Sequence, residues 1–441
     1  MAQEKKKMGV VQLTVITAIN MMGSGIIMLP TNLAQIGTMS ILSWIVTAAG
    51  AMALAYAFSR AGMYTSKEAG MGGYAEYSYG KAGSFMANYT YGVSLVIANA
   101  AIAISAVGYA ANLFGWHLAP VEVALGTIFT LWLATVLNFG GPRITGRIST
   151  FTVWGVIIPV IAISLVGWFF FSGHQYVTSW NPHHFSFFTG VSKSISITLW
   201  AFLGLESASA NMDSVENPKK NVPIAVLGGT IGAAIMYIVS TNVMAGIVPM
   251  AKLAASNAPF GLAFSQMFTP TVGKVVMALM VMSCFGSLLG WQFTIAEVFR
   301  SSAIEGYFPR MFGKVIKNGT PIIGMVIITV LQSLLALMTI SPSLSKQFTI
   351  LVNLAVVTNI IPYILSMGAL KTMQIQEKVP LKGRRFTNTI AVLAAVYSLY
   401  ALYTAGSVAL VGGSIVTFAG WTLYGFVSHR FDVSETLPHA D

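Results

Sequence analysis

Gly23-Ser24-Gly25 and Gly204-Leu205-Glu206-Ser207 are the two stretches that decide the fold of this chain. Each interrupts a long apolar run, the first with helix-weakening glycines and the second with a carboxylate. The two runs are the first and the sixth of the chain, so a set of five runs begins with each. Interrupted membrane helices at matching positions indicate an inverted-repeat transporter with its site at the membrane midplane. Close helix packing is the other common use of membrane glycines, but the acid in one of the two runs favours a site.

The composition requires a lipid surrounding. Of 441 residues, 55% are hydrophobic and only 8% are charged, whereas soluble proteins have roughly 25% charged residues. At about 20 apolar residues per helix, the length allows roughly a dozen spans and no large soluble domain. The net charge of +11 does not predict a nucleic-acid partner, because the basic residues are scattered over short connecting segments. We therefore expect an all-α membrane protein that forms a single polytopic domain over residues 1–441.

Twelve apolar runs predict twelve transmembrane helices, at residues 10–37, 40–60, 85–113, 121–139, 149–171, 191–212, 224–248, 275–299, 321–340, 348–370, 387–404 and 409–427. Two repeats of five spans then cover about 10–171 and 191–370, and two extra helices cover about 387–427. An even number of spans places both termini on the same side of the membrane.

The distribution of Lys and Arg predicts the orientation. With cytoplasmic termini, the outer segments contain four of the 24 basic residues, leaving 20 inside: the outer ones are Lys193, Lys252, Lys274 and Lys346. Positive charge concentrates in cytoplasmic loops, so we expect a multi-pass protein of the cytoplasmic membrane, with both termini inside.

Glu206 is the acid that we expect near the centre of a span, with no Lys or Arg in its own helix. A buried carboxylate takes up a proton or pairs with a cation, and aromatic faces attract ammonium groups. Trp200 and Trp291 lie away from span ends and are the better aromatic candidates. Three other aromatic residues lie in the third, tenth and twelfth spans, and for each the pattern favours interfacial anchoring or packing: Tyr91, Tyr363 and Tyr424.

The breaks predict the remaining ligand contacts. A half-helix starting near Ser24-Gly25-Ile26 would offer amide groups to a carboxylate, and unwound carbonyls over 200–205 would suit an ammonium. The expected ligand is a basic amino acid, or a diamine that uses only the cationic contacts. The chain has one cysteine, no histidine inside a span and no phosphate-binding motif, so we expect no metal and no cofactor.

Several motifs resemble the amino acid–polyamine–organocation superfamily, and within it the basic amino acid/polyamine antiporters. They are Asn20-Met21-Met22-Gly23-Ser24-Gly25-Ile26, Leu199-Trp200-Ala201-Phe202-Leu203-Gly204-Leu205-Glu206-Ser207 and Glu216-Asn217-Pro218-Lys219-Lys220-Asn221-Val222-Pro223. The resemblance implies a LeuT-like 5+5 inverted repeat with broken helices 1 and 6, an inner-membrane location and a homodimer. It also implies a substrate site formed by Ser24, Gly25, Asn99, Trp200, Glu206 and Trp291, with further contacts from Glu76, Tyr307 and Tyr424.

The function that this resemblance implies is exchange of putrescine for ornithine, with proton-coupled uptake of putrescine as an additional mode. Lysine–cadaverine or arginine–agmatine exchange is the alternative within the same class. A channel would need a continuous polar lining, and an enzyme would need a catalytic constellation at one membrane interface. The sequence shows neither pattern, so we expect a transporter and no enzymatic activity.

Overall fold

The computed structural model describes residues 9–22, 25–67, 70–208, 215–338, 340–341 and 343–431. Its longer elements over these residues are all α-helices, numbered here in chain order: α1 Val10–Met22, α2 Leu29–Ala34, α3 Ile41–Tyr64, α4 Gly70–Phe114, α5 Pro120–Asn138, α6 Pro142–Thr152, α7 Trp154–Val166, α8 Gly173–Thr178, α9 Phe187–Trp200, α10 Pro218–Ile247, α11 Met250–Ala254, α12 Pro259–Met267, α13 Pro270–Ile304, α14 Ile322–Met338, α15 Leu344–Gln376, α16 Arg384–Thr404 and α17 Ser407–Val427.

Nine helical segments in the described part of the chain are long and apolar enough to cross a membrane: Thr38–Tyr64, Gly70–Phe114, Pro120–Asn138, Pro142–Phe170, Lys219–Ile247, Pro270–Ile304, Leu344–Gln376, Arg384–Thr404 and Ser407–Arg430. The other three predicted spans fall on the broken pair α1 and α2, on α9 with the turn after it, and on the 17-residue α14. The prediction of an all-α membrane protein is confirmed.

Both predicted breaks are present. α1 ends at Met22, residues 25–28 form turns, and α2 begins only at Leu29. The predicted start of this half-helix near Ser24-Gly25-Ile26 is therefore wrong for the described residues. Pro30 explains the later start, because its fixed φ and missing N–H suit the first turn of a helix. In the sixth span, α9 ends at Trp200, and turns at 201–204 lead into a short 3₁₀ helix.

The centre of the bundle is α4, which packs along α13 and α15, while α1 packs against α10. α4 begins fifteen residues before the predicted third span, at Gly70, and bends at Gly80 (φ 60°, ψ −156°). The segment before this bend lies on the side where the Lys- and Arg-rich segments are predicted, which we call the basic side. At the periphery, α17 exposes large apolar side chains such as Phe418 and Phe426, as expected for a surface that contacts lipid.

Candidate functional site

A small cavity of about 40 Å³ lies where the two broken spans meet α4, α13 and α15. Among its described lining residues, Glu206 is the only carboxylate, and none is Lys or Arg. The lining residues are Met21, Gly25, Tyr91, Ser94, Leu95, Ala98, Asn99, Ile102, Trp200, Leu203, Gly204, Glu206, Trp291 and Asn359. A cavity with this lining favours a cation, because a low-dielectric wall strengthens the field of its acid.

Three donors from separate parts of the described chain hold the Glu206 carboxylate at the break of the sixth span. Tyr91 donates its hydroxyl to Oε1 at 3.1 Å, Tyr363 donates to Oε2 at 2.6 Å, and the Gly204 amide donates to Oε2 at 3.1 Å. The side chain is only 6% exposed. These three donors are neutral, so they orient the carboxylate without themselves neutralising it.

The two tyrosines correct an expectation from the sequence. Tyr91 lies on α4 and Tyr363 on α15, and both were expected to anchor or pack, whereas their hydroxyls bind the acid. Pro362 precedes Tyr363 inside α15 and cannot donate a helical hydrogen bond. The carboxylate and the two hydroxyls lie on three separate spans, so they leave no local pattern in the sequence. The sequence alone therefore could not predict these contacts. Tyr424 does pack as expected, with its ring centroid 5.3 Å from that of Phe85.

Glycine permits the close approach of the two breaks. A Cβ placed on Gly25 would lie 3.2 Å from the Met21 carbonyl oxygen and 3.3 Å from the Ala201 Cα. These contacts are tighter than most side chains accept, so a residue with a Cβ here would displace the two breaks by a few tenths of an ångström. Gly204 has φ +103°, a conformation that residues with a side chain rarely adopt, and it directs its amide to the Glu206 carboxylate.

The two tryptophans line the cavity as the sequence predicts. Trp200 is 5% exposed, and its ring meets that of Phe348 edge to face at 6.5 Å between centroids. Its buried indole Nε1 has no hydrogen-bond partner among the described residues. Trp291, on α13, is half-buried against the same cavity. Two tryptophan side chains therefore line the space beside the acid.

The predicted carbonyl site at 200–205 is already used in part by the protein. Tyr237 donates its hydroxyl to the Ala201 carbonyl at 2.9 Å, and backbone amides within the turns bond to the carbonyls of Trp200 and Phe202. The other predicted partner in the broken helices, Ser24, lies outside the described residues. The carboxylate-binding role predicted for Ser24 and Gly25 stays a prediction.

Asn99 reaches the cavity from α4 and is fully buried. Its Nδ2 donates to Gln292 Oε1 at 2.6 Å. No charge or spacing in the sequence singled out Gln292 or Asn359 as part of a site. Asn359 lines the cavity and accepts a hydrogen bond from Ser94 at 3.3 Å.

Three predicted contacts lie outside the cavity lining: Glu76, Tyr307 and Tyr424. Glu76 pairs with Lys67 at 2.8 Å and with Lys81 at 3.0 Å on the basic side. Tyr307 and Tyr424 belong to an aromatic cluster with Phe85. The structure does not bring these three residues to Glu206, and their contact with substrate stays a prediction.

A buried acid and aromatic rings between two broken helices, inside a bundle of membrane-crossing helices, define a multi-pass membrane transporter of small solutes. Residues 8–427 match the model of a family described as amino acid permease. The chain belongs to this family.

Comparison with individual proteins gives closer relatives. The chain is 67% identical over 435 residues to the "Putrescine transporter PotE" of Haemophilus influenzae, with 99% of this chain and 100% of the relative covered. It is 66% identical over 434 residues to the protein of the same name from Escherichia coli K12, covering 98% and 99%. A "Cadaverine/lysine antiporter" of Escherichia coli K12 is 34% identical over 431 residues, covering 96% of each chain. All three names describe transporters, which confirms that prediction.

Proposed function

We propose that this chain exchanges putrescine for ornithine across the cytoplasmic membrane, with proton-coupled uptake of putrescine as an additional mode. Two relatives named putrescine transporters support the substrate, at 66% and 67% identity against 34% for the relative named for cadaverine and lysine. The observation that carries the proposal is the Glu206 carboxylate, oriented by neutral donors in a cavity that has no basic lining residue among those described.

The cavity suits one ammonium at Glu206 and an alkyl chain beside the tryptophans. An ammonium over an aromatic face gains about 0.5–2 kcal/mol, and Trp200 and Trp291 both line the space next to the acid.

The placement in the membrane belongs to the same proposal. The excess of Lys and Arg in alternate connecting segments supports cytoplasmic termini in the inner membrane. The paired breaks support two repeats over about 10–171 and 191–370, followed by two extra helices. The family resemblance supports a homodimer and the assignment of Ser24, Gly25 and Asn99 as substrate contacts.

Counterflow in proteoliposomes tests the proposal. Purified protein is reconstituted with unlabelled putrescine inside, and the uptake of labelled ornithine, lysine, arginine, putrescine and cadaverine is measured separately. We expect internal putrescine to accelerate ornithine and putrescine uptake most. Preference for lysine and cadaverine would transfer the assignment to the alternative pair, and equal flux with and without internal substrate would exclude exchange.

A further inference from the structure

A chain of buried side-chain amides extends from the cavity into the bundle. Gln292, on α13, accepts from Asn99 Nδ2 at 2.6 Å through its Oε1. Gln292 and Gln332, on α14, form a reciprocal pair in which each Nε2 donates to the other Oε1 at 3.0 Å. All three side chains are fully buried. Each amide can present either its oxygen or its NH₂ to a neighbour.

The hydrogen-bond acceptors around Gln332 and Gln292 determine which way each side-chain amide is oriented. Gln332 Nε2 also lies 3.4 Å from the Val96 carbonyl oxygen, which can only accept. Gln292 Nε2 lies 3.1 Å from the Thr135 hydroxyl and 2.9 Å from the Thr329 hydroxyl. The two hydroxyls lie 2.6 Å apart, so one donates to the other, and the second donates to a carbonyl of its own helix at 2.8–2.9 Å. Their oxygens then act as acceptors, so Gln292 must direct its NH₂ toward them.

The direction at Gln292 determines what Asn99 offers to the ligand. Because Gln292 presents its oxygen to Asn99, Asn99 must present its Nδ2 in return. Its other polar atom, Oδ1, is buried without a hydrogen-bond partner among the described residues, and Asn99 lines the cavity. A buried acceptor without a partner carries a desolvation cost that a donor group of a ligand would remove.

We propose that Gln292 is a positioning residue, which fixes the Asn99 amide so that Oδ1 accepts a hydrogen bond from the second ammonium of a diamine. The inference rests on the proposed function, and it assigns the two ends of the substrate to different groups. Glu206 takes one ammonium, and Asn99 Oδ1 takes the other. With the amide reversed, an N–H would face the second ammonium and repel it.

Displacement of labelled putrescine from purified protein tests this inference. The competitors are unlabelled putrescine and butylamine, which has the same four carbons but one ammonium. The measured quantity is the ratio of the dissociation constant of butylamine to that of putrescine. A hydrogen bond to a charged group predicts a ratio of about 10 to 150 in the unmodified protein. Asn99→Leu and Gln292→Leu should each lower it about tenfold or more. The ratio comes from one preparation, so it does not depend on the fraction of protein that is active.

Ser333→Ala is the matched control, because Ser333 follows Gln332 on α14 but bonds to Trp132 instead of the amide chain. It should leave the ratio unchanged. Where Gln292→Leu yields no monodisperse protein, Gln332→Met removes the next amide and should lower the ratio too. A ratio near one in the unmodified protein, or an unchanged ratio in the Gln292 and Gln332 variants, overturns the inference while exchange stands. Absence of putrescine binding to the unmodified protein would overturn the proposed function as well.

Discussion

Replacing Glu206 by Gln removes the charge of the site while keeping its shape. The structure predicts how the new amide would lie. Oε2 accepts from the Gly204 amide and the Tyr363 hydroxyl, and a backbone amide can only donate. The glutamine must therefore keep its oxygen at that position and place its NH₂ toward Tyr91. A tyrosine hydroxyl can rotate to accept, so Glu206→Gln should fold.

The loss of affinity follows from the contact that disappears. Hydrogen bonds to charged groups contribute about 1.5–3 kcal/mol, so the Gln variant should bind putrescine and ornithine about 10- to 150-fold more weakly. The effect should be similar for both ligands, because each presents an ammonium to the carboxylate. Exchange should fall with binding, since the same cavity serves both directions of transport.

Two measurements decide this prediction: putrescine binding to purified protein, and counterflow at equal amounts of reconstituted protein. Glu122→Gln is the matched control. Glu122 accepts a hydrogen bond from the Ala119 amide at the start of α5 and is not a lining residue of the cavity, and a glutamine oxygen can accept the same hydrogen bond. A Glu206→Gln protein with exchange close to that of the Glu122→Gln protein would refute the central role of the carboxylate.

Gly25→Ala should slow exchange because its methyl group would displace the two breaks by a few tenths of an ångström, whereas Gly232→Ala, with nothing within 4 Å, should transport normally. Trp200→Phe keeps a ring but loses the indole N–H, so ornithine, which carries a carboxylate, should bind more weakly while putrescine binding changes little. The Ser66 hydroxyl is the chief cause that lowers the pKa of Glu377 below 4.5. The hydrogen bond from Ser66 to the ionised Glu377 carboxylate is fully present above pH 4.5 and is lost as the pH falls through the lowered pKa. Ser66→Ala should therefore raise the pKa of Glu377 in an NMR titration. Putrescine carries one more net positive charge than ornithine, so one-for-one exchange moves one positive charge across the membrane. This transfer is worth about 2.3 kcal/mol per 100 mV of membrane potential, so an imposed potassium diffusion potential should change the exchange rate.

The sequence was sufficient for the parts of the fold that depend on hydrophobicity and local backbone chemistry. Apolar length located the spans, since a membrane helix must satisfy its own backbone polar groups. Glycine and a lone acid located both breaks and identified Glu206. The half-helix start was misplaced because Pro30, and not the glycine triplet, sets where regular hydrogen bonding resumes.

Contacts between distant spans could not be predicted in this way. The hydroxyls of Tyr91 and Tyr363 reach Glu206 across sequence separations of 115 and 157 residues. The amide chain from Asn99 through Gln292 joins α4, α13 and α14. Neutral polar residues in apolar runs are usually satisfied within their own helix or by a neighbour, so their composition does not distinguish a site from ordinary packing.

If Glu76, Tyr307 and Tyr424 contact substrate as predicted, they do so at a different stage of transport from Glu206. From the bend at Gly80 to Tyr91, α4 runs eleven residues, which at about 1.5 Å per residue is roughly 16 Å, and Glu76 lies beyond that bend. A four-carbon diamine held at Glu206 cannot span that distance. Tyr307 and Tyr424 contact Phe85, at 6.1 Å and 5.3 Å between ring centroids. Phe85 lies about 1.7 turns before Tyr91 on the same helix. Any role of these residues in recognition therefore belongs to entry or release on the basic side, where it would change transport rates from that side and leave binding at the central acid intact.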